Sequence, residues 1–199
     1  MTILIRPSID GTWRVDSTRG DSMGGFLRVM DCSDMAIEAM FKAEIEMPTV
    51  HRYTISTSHY TVTKRSRLNN FTESFPIGKR TINNININKD DVKEKATIVS
   101  VCTPKFVHIV SKLSTSNGVA EVVDKKQLSE DGTHLLQELQ IRNLKTNAVN
   151  TTTRYWVPHE EEMDPFEIGM EGGGEIYGGG QGMIVGGEGV GVGGGQEYE

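Results

Sequence analysis

The chain of 199 residues contains only two cysteines, Cys32 and Cys102. Two build no disulfide framework, and without a secretory leader they predict reduced thiols in a cytoplasmic protein. The N-terminal "MTILIRPSIDG" offers no such leader, because its apolar patch is too short and runs straight into Arg6 and Pro7. No apolar run approaches the roughly 18 residues of a transmembrane helix, so no transmembrane segment is expected. The C-terminal stretch lacks cations altogether. After Val157 come ten Asp and Glu, no Lys or Arg, and 15 of the 22 glycines. The formal net charge of −6 therefore combines a mildly basic body with a strongly acidic end. This division predicts a folded domain over 1–157 and an acidic, Gly-rich, low-complexity tail over 158–199, disordered unless bound.

Groupings that carry catalysis are also missing. His51, His59, His108, His134 and His159 show no metal-ligand spacing with Cys or acidic residues, so neither a metal nor another cofactor is expected. Cys102, in the apolar "IVSVC", has no paired base and reads as a small buried hydrophobe. Glycines 172–174 and 178–180 lack the strand-to-helix setting and the Lys-Ser/Thr of a phosphate loop. The basic cluster "TKRSRL" (63–68) stands without an aromatic series and reads as a solvated strand end rather than a nucleic-acid surface. The chain is expected to be no enzyme and to bind no nucleic acid. The glycosylation patterns at Asn70 and Asn150 are chance matches in a cytoplasmic chain.

What the sequence does contain is alternation. Asp21-Ser22 and Asp34 are N-cap candidates, and Phe26, Met30, Ile37, Met40 and Phe41 follow at helical spacing, predicting a short helical hairpin near 22–46. From Thr49 onward, β-branched segments follow one another: "VHRYTISTSHYTVTKRSRL", "FTESFPI", "TINNININ", "KEKATIVSV", "KFVHIVSK", "VAEVVDKKQL", "THLLQELQIRNL" and "AVNTTTRYW". Asn117-Gly118 and Asp131-Gly132 between them are the strongest type I′ hairpin signals. Strands spaced by about 8–12 residues make an antiparallel meander, and such a meander hides its edges best by closing into a barrel. In "TISTSHYTVTKRS", read as one strand, both faces mix Thr, Ser, Tyr and Val. A solid barrel interior needs one bulky apolar face, so the mixture points to a ligand cavity.

The quoted pieces also stand in a particular order. "GTWRVDS" (11–17), the helical hairpin, "MPTV" (47–50), "FTESFPIGKR" (71–80), "DDVKEKATIVSV" (90–101), "KFVHIVSK" (105–112) and "TTTRYW" (151–156) succeed one another as in the intracellular lipid-binding proteins. The chain resembles that family, the fatty-acid-binding and cellular retinoid-binding proteins of the calycin superfamily, over about residues 9–157. The resemblance implies an all-β fold, an up-and-down lipocalin-like barrel of about ten antiparallel strands capped by a helix-turn-helix. It also implies an inward Arg-x-Tyr pair on the last strand that holds a ligand carboxylate. Arg154 matches the arginine, and by parity Trp156 stands where the tyrosine is expected, with Tyr155 between them. A second family arginine matches Lys126, or Lys125 if the register slips by one. Ligand-binding candidates are thus Arg154, Trp156, Lys126 and Tyr155.

Two functions follow. The barrel carries a hydrophobic, anionic small molecule such as a fatty acid or retinoid, bound without any cofactor. Alternatively it is a docking or structural subunit with an idle pocket, anchored by a protein partner on the tail. Apolar residues set in the glycine spacers, Phe166, Ile168, Met170 and Tyr177, are the candidate contacts for that partner.

Overall fold

Runs of β-branched residues with a period of two favour extended chain, and the computed structural model pairs them into one ten-stranded antiparallel sheet. The structure describes residues 5–160 apart from 69, 89–90 and 116–117, and only the backbone of the rest of 84–93. The expected tail contacts Phe166, Ile168, Met170 and Tyr177 lie outside the described residues. The strands are β1 (Gly11–Gly20), β2 (Val50–Ile55), β3 (His59–Arg65), β4 (Asn70–Pro76) and β5 (Arg80–Asn88), then β6 (Asp91–Thr103), β7 (Phe106–Thr115), β8 (Gly118–Leu128), β9 (Leu135–Asn143) and β10 (Val149–Pro158). Their order in the sheet is β4-β3-β2-β1-β10-β9-β8-β7-β6-β5, so each strand neighbours its successor and β1 lies beside β10. The sheet curls until β4 and β5 face each other across a seam without a backbone ladder. Side chains bridge it: Lys95 Nζ on β6 donates to Glu73 Oε1 on β4 at 2.9 Å. This nearly closed barrel with two helices is the expected fold class.

The segment read as a single strand from Val50 to Leu68 is a hairpin, broken at residues 56–58. Interior residues of β3 are Tyr60, Val62 and Lys64, while Thr61 and Thr63 point outward and bond Ser74 and Thr72 on β4 at 2.9 and 3.0 Å. The mixture of faces used to argue for a cavity was therefore partly two strands counted as one.

Between β1 and β2, helices α1 (Gly24–Val29) and α2 (Asp34–Glu46) cover one end of the barrel. Ser33, not Asp34, caps α2, its hydroxyl accepting from the Ala36 amide at 3.3 Å. Asp34 is the first helical residue and pairs with Arg28. Ahead of α1, Ser22 accepts from the Gly24 amide at 3.1 Å. Phe26, Leu27 and Ile37 are buried against Ala120 of β8 and Ile141 of β9, which seats the cap on the sheet by apolar area.

The opposite end is filled solid. Ile9, Trp13, Val15, Phe75, Val99, Val107, Leu128, Leu135 and Trp156 form a buried floor, and Cys102 packs on it half-buried. The Trp13 indole donates to the Ile9 carbonyl at 2.7 Å. The β8–β9 loop locks the floor from outside. Its Gly132 has φ of 69°, and a Cβ there would lie 2.2 Å from the Arg6 carbonyl oxygen, so only glycine fits. The loop spans six residues, with Asp131 outside the left-handed region, and is not the expected type I′ turn. Asp131 instead accepts from Ser129 and from the Thr133 hydroxyl and amide, which holds its carboxyl down to about 2.

Candidate ligand cavity

Between floor and cap lies a cavity of about 270 Å³, just below the roughly 300–1,000 Å³ usual for small-molecule sites. Tyr53, Tyr60, Val62, Phe71, Phe75, Ile109, Leu113, Val122 and Leu139 wall it, with Phe26 and Met30 of α1 above. Charged and polar groups ring its middle: His51, Lys64, Glu73, Lys95, Thr97, Ser111, Asp124 and Lys126.

Strand parity explains how β8 supplies two of these. Asp124 and Lys126 are two residues apart and share the inner face. Lys126 is the inward lysine, 3 % exposed, whereas Lys125 is 46 % exposed and pairs outside with Glu138 at 3.0 Å. The Lys126 ammonium donates to Asp124 Oδ2. Asp124 Oδ1 accepts from Gln137 Nε2 at 3.0 Å, and Gln137 Oε1 accepts from the Trp156 indole at 3.0 Å. The chain Lys126–Asp124–Gln137–Trp156 thus satisfies itself, with Asp124 providing the carboxylate that a ligand was expected to bring.

Arg154 also points inward, in register with Gln137, but its guanidinium is taken by Glu44 of α2. Glu44 Oε1 additionally accepts from Thr49 at 3.2 Å. Arg154 therefore ties the last strand to the cap. Neither Arg154 nor Trp156 lines the cavity wall, and Tyr155 faces the other side of the sheet, where Arg19 stacks 4.1 Å from its ring centroid. Of the four candidates, the structure places one, Lys126, on the cavity.

Cavity residues passed over in the sequence include Asp124, Glu73, Lys95, His51 and Lys64. The first was readable from the parity of Lys126. Lys64 sat inside "TKRSRL", taken as a solvated strand end; Arg67 of that cluster does pair at the surface with Glu46, but Lys64 turns inward. Burial pushes its ammonium below the usual lysine range, with Arg154 adding to the shift, while Glu44 and Glu73 act the other way. His51, opposite Lys64 across the β2–β3 pair, is held neutral well below 6.5 by burial and then by Lys64, Lys126 and Arg154. Its ring stacks on Trp156 at 4.4 Å, and Nδ1 lies 2.8 Å from the Tyr53 hydroxyl. Burial raises the phenols of Tyr53 and Tyr60 well above 10, so both stay protonated.

No family model matches the sequence, and no curated protein matches it. Solved structures do match in shape. The REP1-NXSQ fatty acid transporter superposes with a TM-score of 0.55 at 11 % identity, over 77 % of this chain and 98 % of its own. A Schistosoma mansoni fatty acid binding protein, in complex with arachidonic acid, gives 0.56 at 10 % identity with the same coverages. The ten-stranded, helix-capped barrel of this chain thus shares its fold with these two proteins. Among the described residues, no helix is long and apolar enough to cross a membrane.

Proposed function

We propose that the barrel binds one hydrophobic, anionic small molecule, of the fatty-acid or retinoid class, and carries it rather than transforming it. The observation that carries this reading is the cavity itself: an apolar-walled chamber between floor and cap, with an inner ring in which Lys64, Lys95 and Lys126 outnumber Glu73 and Asp124. Burying a dozen methylenes there contributes on the order of 10 kcal/mol gross, at roughly 0.8 kcal/mol each. An ion pair or hydrogen bond to the head adds only about 1.5–3 kcal/mol. Affinity comes from the tail of the ligand and selectivity from the ring. The similarity in fold to proteins named for fatty-acid transport and binding agrees with this class of cargo.

Fluorescent long-chain fatty acid titrated into delipidated full-length protein is expected to saturate a single site and to be displaced by unlabelled fatty acid. Absence of saturable binding would overturn the proposal. The pairing of Lys126 with Asp124 and of Lys95 with Glu73 supports the other reading, a docking subunit whose pocket is occupied by its own ion pairs. Under that reading the protein isolated from its source holds no lipid and keeps a protein partner, and removal of residues 161–199 releases that partner.

A further inference from the structure

The inner ring is not evenly balanced. Lys126 has Asp124, Lys95 has Glu73, and the neighbouring Arg154 has Glu44. Among the described residues Lys64 has no ion-pair partner; its ammonium lies 5.8 Å from the centroid of the Phe71 ring, a cation–π contact. Directly across the strand pair, His51 Nε2 is buried without a hydrogen-bond partner among the described residues. The tautomer follows from its neighbour. The Tyr53 hydroxyl has no other acceptor among the described residues, so it donates to His51 Nδ1, and the ring hydrogen then resides on Nε2. A buried N–H without an acceptor is a rarity in folded proteins and is costly to leave unpaired. An unpaired ammonium and an unpaired N–H therefore face one another on adjacent strands, and both line the cavity.

We infer that the head group of the ligand is a carboxylate seated on Lys64 and His51, at the β2–β3 wall, and not on Arg154 and Lys126. This rests on the carrier reading above and adds the chemical class and location of the head. One carboxylate oxygen meets the Lys64 ammonium and the other accepts from His51 Nε2, so a single anion satisfies both unpaired donors. The already occupied Lys126–Asp124–Gln137–Trp156 chain stays intact beneath it. A neutral head such as an alcohol can accept from His51 but leaves Lys64 unpaired, so the site distinguishes acid from alcohol of equal chain length.

The test compares a 16-carbon fatty acid with the 16-carbon alcohol, each displacing a fluorescent fatty-acid probe from delipidated full-length protein. The wild type is expected to favour the acid, and Lys64→Met to lose roughly 5- to 150-fold in acid affinity while alcohol affinity changes little. Lys64→Arg keeps the cation and is expected to keep the preference, which separates head-group recognition from general damage to the fold. Lys126→Met is expected to weaken acid and alcohol alike, through loss of the Asp124 pair. A Lys64→Met protein that retains the full acid preference overturns the inference, as does loss of that preference in Lys126→Met alone. If the wild type binds acid and alcohol equally, the carrier reading stands and the head-group site falls. If it binds neither, both fall.

Discussion

The two halves of the barrel interior are built to opposite standards. The floor is apolar and internally satisfied: Trp13 and Trp156, both essentially unexposed, donate their indole N–H groups to the Ile9 carbonyl and to Gln137. The chamber above it, only a few strand positions away, holds a lysine without an ion-pair partner and two buried polar atoms without hydrogen-bond partners among the described residues, His51 Nε2 and the Tyr60 hydroxyl. Polar groups left in this state cost folding free energy. The difference teaches where stability and binding reside. The floor and the cap contacts hold the fold, and the chamber tolerates vacancies in its hydrogen bonding that a ligand can fill.

The comparison breaks most severely at the floor. Trp13→Ala is expected to cost about 3–5 kcal/mol in denaturant unfolding, because it removes a fully buried indole from a packed layer. Gly132→Ala, outside the same floor, is expected to cost about 1–3 kcal/mol from strain at positive φ and crowding of the Arg6 carbonyl. At the cap, Glu44→Gln and Arg154→Gln are each expected to lose about 1–2 kcal/mol, discounted for their partial exposure. The double variant is expected to lose little more than either alone, since both remove one interaction. Additive losses would show that the two act separately.

The chamber is expected to respond in the opposite sense. Lys64→Met raises the unfolding temperature of the unliganded protein, an effect worth at most about 1 kcal/mol, because a half-buried cation without an ion-pair partner among the described residues is replaced by apolar volume. Its ammonium has a lowered folded value, so the unfolded chain binds more protons and this group favours folding only as the pH rises towards the usual 10.5. Wild-type stability is thus expected to gain on the alkaline side relative to Lys64→Met. His51 gives the smallest effect at neutral pH and a visible one in acid. Its folded value lies well below 6.5, so its contribution is fully present above 6.5 and is lost as the pH falls from there towards the folded value. Thermal melts at successive pH values are expected to show a flatter acid limb for His51→Gln. An unchanged limb would mean that His51 takes up no proton over this range.

How far the sequence revealed this contrast depended on what marks a turn. The hairpin around Asp131-Gly132 was legible because glycine supplies the positive φ, although the loop proved longer than two residues. The turn at 56–58 was not, because it has no Gly, Asn or Pro. There the Ser56 hydroxyl accepts from the Ser58 and His59 amides at 3.3 and 2.9 Å, a side chain standing in for the usual turn residues. With that turn missed, the parity of everything up to Arg65 was uncertain, and Lys64 and His51 were lost as a facing pair. Arg154 and Trp156 were read correctly as sharing a face, but a glutamate from a helix more than a hundred positions earlier cannot be seen from strand periodicity. Ion pairs between distant elements leave no local pattern, and these pairs decide which cation is left for a ligand.

The place of β10 between β1 and β9 bears on how the chain is made. Strands β1 to β4 form one meander and β5 to β10 another, and the backbone ladder that joins them pairs Trp13 with Pro158 and Val15 with Trp156. On a ribosome the first meander emerges with β1 as an open edge whose partner is translated last among the strands. Until then β1 presents free amides and carbonyls to any passing strand, which makes that interval the one in which mispairing with another nascent chain competes with folding.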